Sequence, residues 1–357
     1  MARDRFIPIE QRVEQWKQFY ARANTRPLLG FFVRSEYPLP RYPASRRLPE
    51  GRDLRPEDFD VAAYLDDYDA LFVEHEACGG DFIYAASAYW GIPWLEAGLG
   101  CAIRADHSTG SIYALSPCEP IGPEDLPPFD PASPWMAKAV EFLHAIDERS
   151  AGRYPLATTR MRGIADLLQA FYGPEQIVYL MADEPERIHA VCRALTDYWL
   201  AFARLQLEHI PPFHGGIGSF YYHAWAPAGT VWHQEDAAAL LSPDLYDEFI
   251  RPYDQRIIES LSGCIMHQHP TRFVPTDFYV QMPFLALELH VDEGGPTAEE
   301  LYPAHCKILE RKPLFIWGHL SQADLDWIFS KLPPQGLAVL TTVSNPEEAA
   351  QIWERYM

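Results

Sequence analysis

Four histidines follow short apolar runs in the second half of the chain: His267 and His269 after one run, His290 after the next and His319 after a third. Residues two apart on a β-strand point to the same face, so His267 and His269 can present their imidazoles to one point. Two neutral imidazoles suit Zn²⁺ or another borderline divalent metal, and a catalytic site needs one further protein ligand and an open position. The pattern predicts a divalent metal, with zinc the first candidate, held by His267 and His269, with a third ligand from His290, Glu288 or His319.

Two histidines at this spacing are a weak signal by themselves. In the alternative interpretation, one of them is a hydrogen-bonded pocket residue and the other faces a helix. The sequence leaves both interpretations open.

Aromatic and acidic residues occur in the segments expected beside these histidines. Three aromatic side chains are predicted to line a pocket for a flat or apolar cofactor or substrate, although such residues often pack in the core instead: Trp90, Tyr221 and Trp225. Three polar side chains are candidates for catalytic proton transfer: Tyr222, Asp236 and His290. Asp236 has the alternative role of accepting hydrogen bonds from backbone donors where a helix begins.

Short apolar runs alternate with longer amphipathic stretches along most of the chain. The runs predict eight β-strands, at 28–33, 82–86, 154–159, 217–222, 264–268, 284–290, 314–318 and 337–342. Helices are predicted at 184–209, 242–261 with a break at Pro252, 297–309, 322–331 and 346–356. Strands that alternate with helices pair in parallel, and eight such units favour an α/β fold of the closed (β/α)₈ type, a TIM barrel, over an open sheet.

One region interrupts this alternation. Residues 91–153 are rich in proline and glycine and contain one predicted helix, at 135–148. We interpret them as an insertion or cap between the second and third strands, and we expect a helical extension before the first strand. The whole chain, 1–357, is therefore expected to form one barrel domain.

The composition excludes several classes of protein. Apolar residues make up 48% of the chain, which excludes global disorder. Lys and Arg number 29 against 50 Asp and Glu, a net charge of −21, so neither nucleic acid nor a membrane surface is expected as a partner. No apolar run approaches the length of a membrane span, and the N-terminus lacks the pattern of a signal peptide. Six scattered cysteines without a CxxC pair fit a reducing compartment, so we expect a cytoplasmic protein.

Several loose motifs follow one another over roughly residues 75 to 350. They are Cys78-Gly-Gly-Asp81, Trp90-Gly-Ile-Pro-Trp94, Asp183-Glu-Pro-Glu186, Gln234-Glu-Asp236, Tyr246-Asp-Glu-Phe249 and the His267-x-His269 strand end. In their order and spacing they resemble the uroporphyrinogen decarboxylase superfamily, which includes the corrinoid-linked methyltransferases. The resemblance implies a (β/α)₈ barrel.

The resemblance is nearer to the methyltransferase branch. True decarboxylases carry an acid after the second strand, where this chain has Ala85 to Trp90, and a net charge of −21 suits a substrate with many carboxylates poorly. The methyltransferases bind zinc through a His-x-Cys and a late cysteine, and the zinc lowers the pKa of a thiol. Here His269 stands at the first cysteine, and 340–344 contains no cysteine. An all-nitrogen site would activate water or a hydroxyl as readily as a thiol.

The resemblance therefore implies a metal-dependent enzyme that transfers a methyl or other one-carbon group. The group would pass between a corrinoid, carried by a partner protein, and a small acceptor molecule. Members of the superfamily are often dimers, so a homodimer is also implied. Two alternatives stay open: a decarboxylase or lyase acting on a small carboxylic acid, and a non-catalytic protein that binds a corrinoid or tetrapyrrole.

Overall fold

The computed structural model describes residues 4–117, 122–270 and 275–357. These residues form ten strands: β1 (Leu28–Val33), β2 (Ile103–Asp106), β3 (Ser111–Ala114), β4 (Gly216–Ser219), β5 (Ala224–Pro227), β6 (Thr230–Gln234), β7 (Gly263–His267), β8 (Ala286–Val291), β9 (Leu314–Gly318) and β10 (Leu337–Val343). The α-helices are α1 (Ile9–Tyr20), α2 (Pro38–Arg41), α3 (Val61–Cys78), α4 (Trp94–Gly98), α5 (Pro134–Ser150), α6 (Ile164–Tyr172), α7 (Pro174–Asp183), α8 (Pro185–Glu208), α9 (Pro243–Phe249), α10 (Arg251–Glu259), α11 (Thr276–Tyr279), α12 (Tyr302–Leu309), α13 (Gln322–Lys331) and α14 (Pro346–Tyr356).

Six strands form a parallel sheet at the centre of the molecule. Their order is β1-β10-β9-β8-β7-β6, and every neighbouring pair is parallel. The strands are buried on both faces, and for this reason they are nearly continuous apolar runs, such as Leu-Leu-Gly-Phe-Phe-Val in β1. Because parallel strands end at the same edge, the residues that close β6 to β9 meet there.

The register of the sheet decides which side chains meet. Gln234 of β6 lies opposite His267 of β7, and His290 of β8 lies opposite Trp317 of β9. Successive side chains on a strand point to opposite faces, so Trp232 and Gln234 share one face of β6 while His233 lies on the other. The chemistry-bearing ends of four strands are thus side by side.

The helix predictions agree well with the structure. The predicted helix 184–209 is α8, and 322–331 and 346–356 are α13 and α14. The break at Pro252 is confirmed, because α9 ends at Phe249 and Pro252 is the second residue of α10. The predicted helix 297–309 was too long: α12 begins at Tyr302, where Pro303 favours the first turn.

The strand predictions were partly wrong. The mixed α/β class is confirmed, but the parallel sheet of the described residues has six strands and not eight. Segments 82–86 and 154–159 form no regular strands, and their only β-pairing among the described residues is the bridge between Ala86 and Leu156. Pro155 has no N–H to donate to a ladder, which weakens the second segment as a strand. The strand predicted at 217–222 is present in part as β4 (Gly216–Ser219), but its expected place in the parallel sheet is wrong, because β4 pairs in an antiparallel hairpin with β5.

The strand of the parallel sheet that was not predicted is β6. Its sequence, Thr-Val-Trp-His-Gln, places polar side chains among apolar ones, and both kinds are buried. The sequence analysis predicted no regular element over this segment. When the polar side chains of a buried strand line a site, the strand lacks the continuous apolar run by which buried strands are recognised in a sequence.

The insertion at 91–153 has its own small structure. It contains α4, the antiparallel hairpin of β2 and β3, and α5, which covers the predicted helix 135–148. Helix α5 packs against α3. The expected helical extension before the first strand is α1.

No helix in the described part of the chain combines the length and apolar character that crossing a membrane requires. The five cysteines that lie in described segments are unpaired thiols. Cys118 lies outside the described residues.

Candidate functional site

A small cavity lies where β6 to β9 end. Its volume is about 150 Å³, and Trp232 and Gln234 of β6, His267 of β7, His290 of β8 and Trp317 of β9 line it. Several of its lining residues also border a wider cleft of about 670 Å³: Glu36, Trp90, Arg160, Tyr221, His269 and His290. The inner cavity therefore opens into a mouth large enough to admit a ligand.

His267 and His269 present the same ring atom to each other at the wall of this cavity. The Nε2 atoms of the two imidazoles are 2.9 Å apart. The Nδ1 atom of His267 donates to Glu288, and the Nδ1 atom of His269 donates to Asp292 at 2.7 Å. Because each Nδ1 carries a proton toward a carboxylate, the Nε2 atoms are the free ligand positions.

Glu288 lies behind the histidines, completely buried. Its carboxylate also accepts from the backbone N–H of Gln268 and from Nδ1 of His290, each at 3.3 Å. Burial alone would raise the pKa of Glu288, but the charge and hydrogen bond of His267 and the hydrogen bond of His290 lower it to about 2. Glu288 is thus an anion that orients two imidazoles.

His269 is less enclosed, and carboxylates determine its charge. Burial would lower its pKa, but the hydrogen bond to Asp292 and the charges of Asp236, Asp292 and Glu288 raise it to about 9. At neutral pH, without a metal, His269 therefore carries a proton on Nε2, which lies 2.9 Å from Nε2 of His267. A metal ion would take the place of that proton between the two nitrogens.

Asp236 is the third group at this point. One ligand atom each from Asp236, His267 and His269 lie within 4.8 Å of one another. The Asp236 carboxylate also accepts from the amide of Gln234 at 2.7 Å, and the same amide donates to Asp166 at 2.9 Å. Gln234 thus holds Asp236 beside the histidines.

These residues fit a divalent metal. Two nitrogens bound to one ion at 2.0–2.1 Å must lie within roughly 3–3.5 Å of each other, and the two Nε2 atoms nearly meet that condition already. Two imidazoles and one carboxylate are a ligand set for Zn²⁺ or another first-row divalent ion. Both histidines also have the carboxylate partner on the second ring nitrogen that metal-binding histidines usually have.

The other predicted ligands take different places. Glu288 supports the histidines from behind. His290 lies beside them, with Nε2 3.8 Å from Asp292, and one ligand atom each from His269, His290 and Asp292 lie within 4.8 Å of one another, so His290 remains a possible ligand. His319 lines the mouth, where its Nε2 is 3.0 Å from the Glu36 carboxylate. Neither Glu288 nor His319 is grouped with His267 and His269 in the candidate clusters of the described residues.

The predicted aromatic lining divides in two. Trp90 and Tyr221 line the cavity, and the Tyr221 hydroxyl donates to the Glu36 carbonyl at 3.2 Å. Tyr222 lies in the core, where its hydroxyl accepts from the Trp232 indole at 2.6 Å. Trp225 donates to the carbonyl of Phe213 at 3.0 Å and lines neither the cavity nor the mouth.

A second group of possible ligands lies on the other face of β6. His233, Glu235 and Asp254 are completely or almost completely buried. Both oxygens of Glu235 accept backbone hydrogen bonds from the first turn of α6, at Ile164 and Ala165, and Asp254 accepts from His233 at 2.8 Å. Burial, together with Asp254 and Asp166, raises the pKa of Glu235 well above its usual value. The existing partners give this cluster a structural role.

Sequence reasoning missed Asp292 and Arg160, and it proposed Asp236 for proton transfer without grouping it with His267 and His269. Asp292 directly follows β8, so the rule that site residues follow strands would have found it. Asp236 follows β6, the strand that pattern did not reveal. Arg160 directly follows the predicted strand 154–159, so the same rule would have found it, although that segment forms no regular strand in the structure.

The sequence matches no known family profile and no curated protein.

Proposed function

We propose that this protein is a divalent-metal-dependent enzyme that acts on a small molecule held in the cavity at the ends of β6 to β9. The reaction we assign to it is transfer of a methyl or other one-carbon group between a corrinoid and a small acceptor. The observation that carries the metal assignment is the 2.9 Å approach of the Nε2 atoms of His267 and His269, each with its Nδ1 on a carboxylate. The assignment of the transferred group rests on the family resemblance.

In this proposal His267, His269 and Asp236 hold the metal, and Glu288 and Asp292 keep the two imidazoles in the required tautomer. A bound divalent ion polarises a coordinated oxygen or sulfur and lowers the pKa of its proton. Because the described lining contains no cysteine, the ligand set has no thiolate. It therefore suits activation of an oxygen at least as well as activation of a thiol.

His290 is the residue that takes up the acceptor's proton. Its Nδ1 donates to Glu288, so its Nε2 has a free lone pair at the cavity wall. The fixed negative charge of Glu288 stabilises the imidazolium that forms. The edge of the Trp317 ring, whose centroid is 4.7 Å from that of His290, keeps the imidazole in place.

We also propose that the sheet closes into a barrel through two irregular segments. The N–H of Asp81 donates to the carbonyl of Leu29 in β1, and Ala86 bridges in parallel to Leu156. Arg162 bridges in parallel to Gln234 of β6. The segments before Ala86 and after Leu156 thus connect the two edges of the six-stranded sheet, in the order that a (β/α)₈ barrel requires.

The size of the cavity limits how a corrinoid could act. At about 150 Å³ the inner cavity is smaller than the roughly 300–1,000 Å³ of drug-sized ligand sites. A corrinoid macrocycle would therefore stay at the mouth, presented by a partner protein, while the small acceptor occupies the cavity. The same comparison speaks against the alternative of a non-catalytic carrier that encloses a tetrapyrrole.

One observation favours the second candidate, a decarboxylase or lyase on a small carboxylic acid. The guanidinium of Arg160 lines the cavity, and among the described residues no hydrogen-bond or ion-pair partner is found for it. A fixed cation beside a metal suits a carboxylate substrate. Metal binding by the same three residues is common to both candidates.

The metal content of the purified protein tests metal binding, which both candidate functions require. The parent protein, purified without added metal and analysed by elemental analysis, is expected to contain about one divalent ion per chain. His267→Ala, His269→Ala and Asp236→Asn should lose most of it. His319→Ala is the matched control, because it removes a histidine at the mouth that pairs with Glu36. The metal site is misassigned if the three variants keep the parent's content.

The reaction is tested separately with methylcobalamin. Visible absorbance is expected to report demethylation in the presence of zinc-loaded protein and a panel of small thiols and alcohols. His290→Ala should slow the chemical step without removing the metal. Absence of demethylation with every acceptor, in protein that contains the metal, would favour the lyase.

A further inference from the structure

Arg160 is a half-buried cation, and in the described residues its guanidinium lies over the Trp90 ring but meets no hydrogen-bond acceptor or anion. Its guanidinium lines the inner cavity and the mouth, and its Nε atom is shielded from solvent without a hydrogen bond. The described residues supply no ion pair for it. Burial, together with the neighbouring Arg162, lowers its pKa, although Glu96 and Asp236 act in the opposite direction. A charge in this situation is stabilised when an anion binds beside it.

The neighbouring arginines are already engaged. Arg162 forms an ion pair with Glu96 at 2.7 Å and lies 3.5 Å from Asp166. At the mouth, Arg34 forms an ion pair with Glu74. Among the described arginines of this region, Arg160 is therefore the one whose guanidinium is not engaged by a carboxylate and can donate to a ligand.

The sheet places Arg160 at a useful distance from the metal ligands. Arg162, two residues after Arg160, forms a parallel bridge with Gln234 of β6. Gln234 in turn lies opposite His267 of the next strand, β7. Arg160 and His267 thus lie on chain segments two positions apart, or about 10 Å between backbones at the usual strand spacing. The two side chains face one cavity across that gap. A ligand a few atoms long can contact both.

We infer that Arg160 binds the carboxylate of the substrate, and that the substrate is a small acid whose other end carries the oxygen or sulfur that meets His267, His269 and Asp236. This inference rests on the proposed function and names its substrate class. The cavity volume corresponds to about five water molecules at roughly 30 Å³ each, which limits the inner part of the substrate to about five non-hydrogen atoms.

The surroundings favour a carboxylate over a phosphate. The planar fork of a guanidinium matches either group, but the cavity also contains the carboxylates of Glu36 and Asp236. A dianion would meet more repulsion there than a monoanion. The Trp90 ring, 5.8 Å from the Arg160 guanidinium carbon, offers a flat wall for a planar group.

The test uses glycolate, which has a carboxylate and a hydroxyl on five non-hydrogen atoms, and its uncharged analogue glycolamide. Isothermal titration calorimetry is carried out on chelator-treated and on zinc-loaded protein. We expect the parent to bind glycolate at least about tenfold more tightly than glycolamide in both forms. Arg160→Gln should lose that preference while keeping the parent's zinc content and thermal midpoint.

Two further variants sharpen the result. Arg160→Lys keeps the positive charge but loses the paired N–H donors of the guanidinium, so its preference for glycolate over glycolamide should lie between those of the parent and Arg160→Gln. The same variant replaces Arg160→Gln in the test if Arg160→Gln does not fold. Arg34→Gln, which removes an arginine at the mouth that is already paired, should bind glycolate like the parent. The inference is overturned if the parent shows no preference, if Arg160→Gln keeps it, or if inorganic phosphate binds as tightly as glycolate. Loss of zinc binding with the preference intact would refute only the proposed function.

Discussion

Replacement of Glu288 by glutamine tests whether this carboxylate positions His267 for metal binding and His290 for proton uptake. Glu288 is completely buried and accepts hydrogen bonds from His267, His290 and the backbone of Gln268. Glutamine has the same size but no charge, and one of its two terminal atoms becomes a donor. Oε2 of Glu288 faces two donors and Oε1 faces one, so the amide oxygen should turn toward His267 and the amide nitrogen toward His290.

The magnitude follows from this arrangement. His267 keeps a neutral acceptor on Nδ1 and remains a ligand, but it loses the carboxylate that makes its Nε2 more basic. Loss of such a partner weakens metal binding by about 10- to 100-fold, or about 1.4–2.8 kcal/mol. His290 must accept from the amide through Nδ1, which moves its proton to Nε2. The Nε2 lone pair assigned to proton uptake is then blocked, so turnover should fall further than metal affinity.

The assay is a competition titration of Zn²⁺ against a chromophoric chelator at fixed pH, with thermal unfolding of the metal-free protein as the check on folding. Glu293→Gln is the matched control, because Glu293 is an exposed carboxylate in the loop that follows β8 and borders only the mouth. Equal zinc affinities for Glu288→Gln and the parent, in folded protein, would refute the assignment of Glu288 as the residue that positions His267.

Three further changes should be measurable by urea unfolding. Removal of the metal with a chelator should lower the free energy of unfolding by about 2.7 kcal/mol, relative to protein in free metal at 100 times the metal's dissociation constant. His267→Ala should show no such loss. Equal losses in the parent and the variant would place the ion elsewhere. Burial lowers the pKa of His305 to about 4, below its usual value of 6.5, so the unfolded chain takes up a proton more readily than the folded protein. The free energy of unfolding should therefore be unaffected by His305 above about pH 6.5 and should fall by about 3 kcal/mol as the pH drops toward 4. His305→Leu should remove this pH dependence. If that variant follows the parent's pH curve, His305 is not the group responsible. Finally, a methyl group at Gly30 of β1 would lie 2.1 Å from the buried Phe82 ring, so Gly30→Ala should cost about 1–3 kcal/mol, and an unchanged midpoint would contradict this packing.

The pattern of apolar residues predicted secondary structure best where apolar side chains recur regularly on one face of a long helix. Helix α8 shows its apolar stripe over six turns, and α13 and α14 begin at side-chain caps, Ser321 and Asn345, that are visible in the sequence. Strands were harder, because a strand is stabilised by neighbours that are distant in sequence. Segment 154–159 is apolar but forms a single bridge, whereas β6 is half polar and belongs to the main sheet.

The sequence by itself placed the His267-x-His269 pair at the end of a strand and left its role open between a metal and a hydrogen-bonded pocket, because two histidines at this spacing are a weak signal. It also determined the net charge and the boundaries of helices α8, α13 and α14, which depend on residues close together in the chain. Only the tertiary structure decided that Asp236 joins the pair, that Glu288 and Asp292 orient it and that Arg160 is left unpaired beside the cavity. These facts depend on the register between strands, and register comes from packing of the whole sheet, which no local pattern records.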